Sequence, residues 1–123
     1  MTIKRIDANK RMSEAVIYNG MVFLSGQVGS PGKTTKEQTI EALSSIDRLL
    51  AKAGTDKSRL LSATIWLADM VDFDIMNEVW EAWLEKGAAP TRATCEAQLA
   101  SPLYRVEIIV TAALEKNSGM IAF

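Results

Sequence analysis

The fold is decided by residues 15–24, which read AVIYNGMVFL. Two apolar runs rich in β-branched and aromatic residues flank Asn19-Gly20, and both of these turn residues tolerate the positive φ of a tight hairpin. Ser25-Gly26-Gln27 follows the second run and ends it. The stretch therefore predicts an antiparallel hairpin over residues 15–28 and a sheet that grows from it.

A long amphipathic helix is predicted over residues 34–53. Thr34 and Glu37 form a capping-box pattern at its start, and Gly54 is a natural stop just past its end. Apolar residues recur at helical spacing and form one face: Ile40, Leu43, Ile46, Leu50 and Ala53. This face is expected to pack on the sheet.

A second helix is predicted between Asp72, which can cap its N-terminus, and Gly87, which closes it. Its inner side is apolar and comprises Phe73, Met76, Val79, Trp80 and Trp83. Asn77 is the polar exception on this helix, and a surface or capping role is the first interpretation of it.

Three further strands are predicted from β-rich runs. Residues 60–68 are expected to be buried on both faces. In residues 92–99, alternation assigns Arg92, Thr94, Glu96 and Gln98 to one face, and Ala93, Cys95, Ala97 and Leu99 to the other. The last strand, residues 106–114, follows the turn Ser101-Pro102 and is expected to be a neighbour of the strand before it. Cys95 is expected to be a small buried hydrophobe.

The element order ββ(β)αβαββ indicates an α+β fold with one mixed β-sheet and two helices packed on one face. The opposite face then lacks a cover, and its candidate residues are Tyr18, Leu24, Ile109 and Thr111. A partly apolar sheet face without a cover predicts a homo-oligomer. One domain is expected over residues 1–114, followed by a C-terminal tail over 115–123 in which Met120, Ile121 and Phe123 could dock.

The composition argues against several classes of partner and site. The 123 residues carry 14 basic and 15 acidic side chains, which gives no basic footprint for nucleic acid or an anionic membrane. There is no histidine, which removes His-based catalysis and His-ligated metals, and the single cysteine forms neither an internal disulfide nor a Cys-x-x-Cys site. No apolar run approaches the ~20 residues of a membrane span, and the charged N-terminus does not resemble a signal peptide. A cytoplasmic location is expected.

Two charged residues, Arg92 and Glu107, stand inside runs that otherwise indicate buried strands. Charges in such runs need a partner. One interpretation is a structural ion pair between them, or an exposed sheet edge. The other is a small polar pocket, in which Arg92 binds a carboxylate through two parallel N–H bonds and Glu107 positions or deprotonates water. Spacing alone leaves both interpretations open.

Several motifs together resemble the RidA/YjgF family, also named the RutC family. They are Ser25-Gly26-Gln27-Val28, Ala82-Trp83, Pro90 with Arg92, and Val106-Glu107-Ile108. Further matches indicate its YoaB-like branch, among them Arg5-Ile6-Asp7-Ala8, Ala63-Thr64-Ile65, Asp72-Phe73 and Met76-Asn77. The resemblance implies a fold similar to Bacillus-type chorismate mutase. It also implies a homotrimer whose sheets close an inner barrel, with ligand pockets at the subunit interfaces.

For the archetypal members, the resemblance implies hydrolytic deamination of reactive 2-imino acids to 2-oxo acids and ammonia, without metal or cofactor. It implies that Arg92 binds the substrate carboxylate, that Glu107 positions water, and that the Gly26 backbone N–H helps to hold the carboxylate. This sequence departs from the archetype at two substrate-binding positions, because Met12 replaces a tyrosine and Thr94 replaces a cysteine. A larger or different imino acid is compatible with both changes.

Three functions are therefore weighed. The favoured one is an imine or enamine deaminase, since Arg92 and Glu107 both stand at the expected spacing. The second is a non-catalytic trimeric binding module for a small carboxylate metabolite or a protein partner, which Met12 and Thr94 motivate. The third is a different reaction in the same kind of pocket, such as a chorismate-mutase-like rearrangement.

Overall fold

The computed structural model describes residues 2–114. These residues form strands and helices in the order predicted from the sequence. The strands are β1 Lys4–Ile6, β2 Ala15–Tyr18, β3 Met21–Leu24, β4 Leu60–Leu67, β5 Thr91–Glu96 and β6 Val106–Ala113. The α-helices are α1 Thr35–Ala53 and α2 Phe73–Trp83.

The strands form one mixed sheet in the order β1-β2-β3-β6-β4-β5. Strands β4 and β5 are parallel, because α2 carries the chain back between them, and the other neighbouring pairs are antiparallel. The prediction that the last two strands are neighbours is wrong, since β4 lies between them. The connection over residues 97–105 is long enough to pass the end of β4, where Ala68 N–H donates to Arg105 O. Strand β5 is also shorter than predicted and ends at Glu96.

The β2–β3 hairpin forms as predicted. Asn19 and Gly20 adopt positive φ angles of 51° and 77°. Two consecutive left-handed residues give the turn a twist that matches the twist of the paired strands. Beyond the end of β3, an isolated bridge between Gln27 and Ile108 continues the pairing with β6.

Helix α1 is capped as its sequence predicts. The Thr34 hydroxyl accepts from the Glu37 N–H, the Glu37 carboxylate accepts from the Thr34 N–H, and Gly54 ends the helix in the left-handed region. The predicted apolar face is wrong at Ile40, which is 50% exposed. The buried stripe consists of Thr35, Gln38, Thr39, Ala42, Leu43, Ile46, Leu49, Leu50 and Ala53. Ile40 falls one position outside this i, i+3, i+4 pattern.

Helix α2 buries the side predicted for it, formed by Phe73, Met76, Val79, Trp80 and Trp83. Both of its predicted ends are corrected. Asp72 occupies the N-cap position, but its carboxylate accepts from Thr35 Oγ1 at 2.8 Å and from Arg105 Nη2 at 2.7 Å rather than from the helix. The helix ends at Trp83, and Gly87 lies in the following turn with a φ of 80°.

The core lies between the two helices and one face of the sheet. Strand β6 contributes Val106, Ile108, Val110 and Ala112 to it, and β4 contributes Ala63, Ile65 and Leu67. The intervening residues of both strands are less buried, so β4 is buried on one face and not on both, as had been predicted. The described chain provides helices for one side of the sheet alone.

The other side of the sheet is called the open face below, and it carries Val16, Tyr18, Phe23, Thr64, Trp66, Glu107, Ile109 and Thr111. Leu24 was predicted to lie there, and this is wrong. It pairs with Ala15, and both are buried in the core, because strand alternation turns them toward the helices. Tyr18 and Phe23 remain 43% and 42% exposed.

None of the helices within residues 2–114 has the length and apolar character needed to cross a membrane. The predicted docking residues Met120, Ile121 and Phe123 lie outside the described residues. The division into a domain over 1–114 and a tail over 115–123 stays a prediction.

Candidate functional site

Glu107 stands near the start of β6 on the open face. Its neighbours Val106 and Ile108 are buried in the core, so alternation turns the carboxylate to the opposite side of the sheet. The side chain is half-buried, and this desolvation raises the pKa of Glu107 above the ordinary value for glutamate. No residue of the described chain pairs with the carboxylate or donates a hydrogen bond to it. Its oxygen atoms are therefore available to a ligand.

Gly26 packs directly against this carboxylate. A Cβ atom at Gly26 would lie 2.0 Å from Glu107 Oε2 and 2.8 Å from Glu107 Cδ. Any residue other than glycine at this position would therefore displace the carboxylate. The N–H groups of Ser25 and Gln27 donate to backbone carbonyl groups. The Gly26 N–H has no acceptor within residues 2–114. An unbonded donor therefore stands beside an unbonded carboxylate.

A small polar network holds the loop that carries Gly26. Ser25 Oγ donates to Glu14 Oε1 at 2.7 Å, and Gln27 Nε2 donates to the same oxygen at 3.2 Å. Gln27 is buried, so these hydrogen bonds hold the loop in place from inside the fold. Nothing in the sequence pattern marks Glu14 for this role, because its partners Ser25 and Gln27 follow the end of the next strand, more than ten residues along the chain.

Arg92 lies near the start of the edge strand β5 and is held on the helical side. Its Nη1 donates to Asn77 Oδ1 on α2 at 2.7 Å. Its Cζ lies 5.8 Å from the centre of the Phe73 ring and 5.9 Å from that of Trp80. The aromatic rings and the amide orient the guanidinium, while the side chain stays exposed. A capping role for Asn77 is wrong, since the residue lies inside α2, and its side chain instead has the structural role of orienting Arg92.

Arg92 and Glu107 lie on opposite faces of the sheet. Arg92 stands opposite Ala63, which is buried under the helices, whereas Glu107 stands opposite Trp66 on the open face. Strand β4 separates the two strands that carry them. The interpretation as an ion pair within one chain is therefore wrong. A single chain does not bring the two charges together.

The remaining candidate residues occupy three different places. Thr94 shares the Arg92 side of β5, and its hydroxyl is buried without a hydrogen-bond partner in the described part of the chain. Met12 is exposed in the turn between β1 and β2, where its N–H donates to Asn9 Oδ1 at 3.1 Å. Cys95 is exposed, so the prediction of a buried hydrophobe is wrong. It stands on the open side of an edge strand, which no layer of the described chain covers.

Known proteins resemble this chain over almost its whole length. Residues 2–114 match the family model described as "Endoribonuclease L-PSP". A RutC family protein of Haemophilus ducreyi is 49% identical over 113 residues, which cover 91% of this chain and 97% of that protein. The RutC family protein YoaB of Escherichia coli is 46% identical over 114 residues, which cover 93% of this chain and 100% of that protein. The chain belongs to the RutC family.

The solved structures agree with this membership. The crystal structure of NMB1025, a YjgF family protein from Neisseria meningitidis, superposes with a TM-score of 0.93 at 48% identity, over 95% of this chain and 98% of that chain. The resemblance to the RutC (RidA/YjgF) family and to its YoaB-like branch is thus confirmed. The fold predicted for a RutC protein, two helices on one face of a mixed sheet, is confirmed as well.

One more distant RutC relative has a named activity. The 2-iminobutanoate/2-iminopropanoate deaminase of Mus musculus is 33% identical over 103 residues, which cover 78% of this chain and 76% of that protein. The RutC family therefore includes imine deaminases. The two more similar relatives above have family names without a stated reaction.

Proposed function

We propose that this chain is a hydrolytic deaminase of 2-imino acids, which it converts to 2-oxo acids and ammonia. The proposal is carried by the half-buried, unpartnered carboxylate of Glu107 beside the unbonded N–H of Gly26. Arg92 adds a guanidinium that Asn77 orients. The activity named for the mouse relative supports the same reaction class.

In the proposed reaction, the substrate carboxylate takes hydrogen bonds from Arg92 and from the Gly26 N–H. Glu107 accepts a proton from water while the water oxygen bonds to the iminium carbon, and a carbinolamine forms. The carboxyl group then returns this proton to the nitrogen. The C–N bond breaks, and the hydroxyl proton leaves with the departing ammonia as ammonium. Because an iminium carbon is already electrophilic, orientation of substrate and water supplies much of the rate enhancement, and no step uses a metal or cofactor.

The proposed site requires two copies of the chain. In a 2-imino acid the carboxylate carbon is bonded directly to the imine carbon, so the carboxylate-binding group and the water-binding group must be close neighbours. Arg92 and Glu107 of one chain face opposite sides of the sheet and do not meet this condition. A homotrimer in the cytoplasm is the proposed assembly, in which neighbouring copies cover the open faces with exposed Tyr18 and Phe23, and the edge strand β5 of one copy brings its Arg92 next to a neighbour's Glu107.

A second candidate function is a trimeric module that binds a small carboxylate metabolite, or a protein partner, without turnover. The observation that favours it is Met12, an exposed thioether that can neither donate nor accept a proton in catalysis. Ligand binding in this case still needs Arg92. Ammonia release is what separates the two functions.

The first experiment is a coupled assay. An amino-acid oxidase generates 2-imino acids in place, and their disappearance and the release of ammonia are followed with and without this protein. We expect acceleration by the wild type, and loss of at least 100-fold of it in Arg92→Ala and in Glu107→Gln. No acceleration for any imino acid, together with Arg92-dependent binding of a 2-oxo acid, would favour the binding module.

The shared site is tested by mixing two inactive variants. Arg92→Ala and Glu107→Gln are unfolded, mixed in equal amounts and refolded together. About a quarter of the sites in randomly mixed trimers then pair an intact Arg92 with an intact Glu107 from a neighbour, so about a quarter of wild-type activity is expected. A site contained within one chain predicts no recovery. A particle mass of about three times 13.5 kDa is expected for the wild type.

A further inference from the structure

Trp66 is the open-face residue directly beside Glu107. The register of β4 and β6 pairs the two residues, so their Cβ atoms lie roughly 4.5–5.5 Å apart. Gly26 approaches Glu107 from the β3 side, whereas Trp66 approaches it from the β4 side. The carboxylate therefore stands between a hydrogen-bond donor and an indole ring.

Within one chain, the surroundings of Trp66 leave its ring accessible. Trp66 is half-buried, and its register partner on the edge strand is the smaller Cys95. The indole N–H of Trp66 has no acceptor within residues 2–114, whereas that of Trp83 donates to Asp47 at 2.9 Å. Trp83 is thus tied to the helical layer. Trp66 is an apolar wall on the side of the sheet that carries Glu107.

We propose that Trp66 contacts the substrate side chain and makes this chain select 2-imino acids with large apolar side chains, aromatic or branched, over the smallest ones. The inference rests on the proposed function. When the substrate carboxylate binds near Gly26 and the imine carbon lies at Glu107, the substrate side chain on that carbon points away from Gly26 and toward Trp66. Neighbouring strands are about 4.8 Å apart, a distance that a side chain of one methylene and a ring or branch spans.

The test compares binding of two stable 2-oxo acids, phenylpyruvate and pyruvate, by calorimetry on the assembled protein. For the wild type we expect phenylpyruvate to bind at least tenfold more tightly, and Trp66→Ala to reduce this ratio at least tenfold with little change for pyruvate. Trp66→Phe retains a ring and is expected to keep most of the ratio. The control is Ile40→Ala, an exposed apolar residue of α1 that lies outside both the open face and the proposed site, and it should leave the ratio unchanged.

A turnover assay with the corresponding imino acids separates this inference from the proposed function. If turnover is lost in Glu107→Gln but both affinity and turnover ratios are unchanged in Trp66→Ala, the role of Trp66 is refuted and the deaminase stands. If no imino acid is turned over but the affinity ratio depends on Trp66, the contact stands and the deaminase fails. Should Trp66→Ala dissociate, Trp66→Leu is measured instead, since it keeps an apolar side chain and removes the ring. A lower affinity ratio in the intact Trp66→Leu assembly supports the inference, and an unchanged ratio overturns it.

Discussion

Replacing Gly26 with alanine should inactivate the protein without unfolding it. The added Cβ would lie 2.0 Å from Glu107 Oε2 and 2.8 Å from Glu107 Cδ. Non-bonded carbon and oxygen atoms need more than about 3 Å, so the carboxylate oxygen must move by more than about 1 Å. Gly26 does not have a positive φ, so alanine fits its backbone conformation.

The expected losses in stability and in activity follow from which atoms move. The clash falls on the free end of the Glu107 side chain, which can rotate away, so we expect a loss of less than about 1 kcal/mol in the free energy of unfolding. A displacement of about 1 Å in a catalytic group can lower the rate by about 100-fold, which corresponds to about 2.7 kcal/mol in the activation free energy. Activity and stability should therefore separate clearly in Gly26→Ala.

A double-mutant cycle gives the decisive measurement. The value of kcat/KM for imino-acid hydrolysis is measured in Gly26→Ala, Glu107→Ala and the double variant, and unfolding by urea is measured in parallel. If Gly26 acts through the position of Glu107, the double variant should be no less active than Glu107→Ala alone. The reasoning would be refuted by a Gly26→Ala protein that keeps activity within threefold of wild type, or by two losses that multiply in the double variant.

Three further predictions concern neighbouring interactions. Asn77→Asp places a carboxylate 2.7 Å from Arg92 Nη1, where it should compete with the substrate carboxylate. KM should rise at least tenfold, with a smaller effect on kcat. An equal fall in kcat and kcat/KM would contradict this role of Asn77. Burial raises the pKa of Glu107, so the folded state holds this proton more tightly than the unfolded chain does, and stability should fall as pH rises through the raised pKa. In an Arg92→Ala background, which removes the neighbour's guanidinium from the proposed site, adding Glu107→Gln should therefore raise the Tm at pH 8 and leave it unchanged below the ordinary glutamate pKa. Equal Tm values at pH 8 would oppose this. The fully buried side-chain amide of Gln38 forms hydrogen bonds with three backbone groups, and Gln38→Leu removes all three bonds. The free energy of unfolding, measured with urea, should fall by about 3 kcal/mol, and a fall below 1 kcal/mol would contradict the importance of these bonds.

Local signals in the sequence predicted most of the elements correctly. The Asn19-Gly20 turn and the Thr34 capping box work through atoms a few residues apart, so the sequence contains all the information they need. Ile40 shows the limit of this reasoning. It matches an apolar spacing, yet it lies outside the stripe that the sheet covers, because the rotation of a helix about its axis is set by what it packs against.

The candidate site was predicted only in part. Arg92 and Glu107 were recognisable as charges in apolar runs, and the family resemblance assigned expected roles to them and to Gly26. The bond from Arg92 to Asn77 was not predictable, since it joins an edge strand to a helix across 15 residues of chain. Similarly, Gly26 touches Glu107 through strand pairing between residues far apart in the sequence.

By itself, the sequence determined the type and order of the elements, the apolar surfaces that build the core, and the two charged side chains that such surfaces do not explain. These features depend on the chemistry of each residue and on its near neighbours. The tertiary structure alone decided that β4 lies between β5 and β6, and hence that Arg92 and Glu107 face opposite sides of one sheet. Strand order depends on which long-range pairing buries the most apolar surface together with its hydrogen bonds, and no local pattern records that competition.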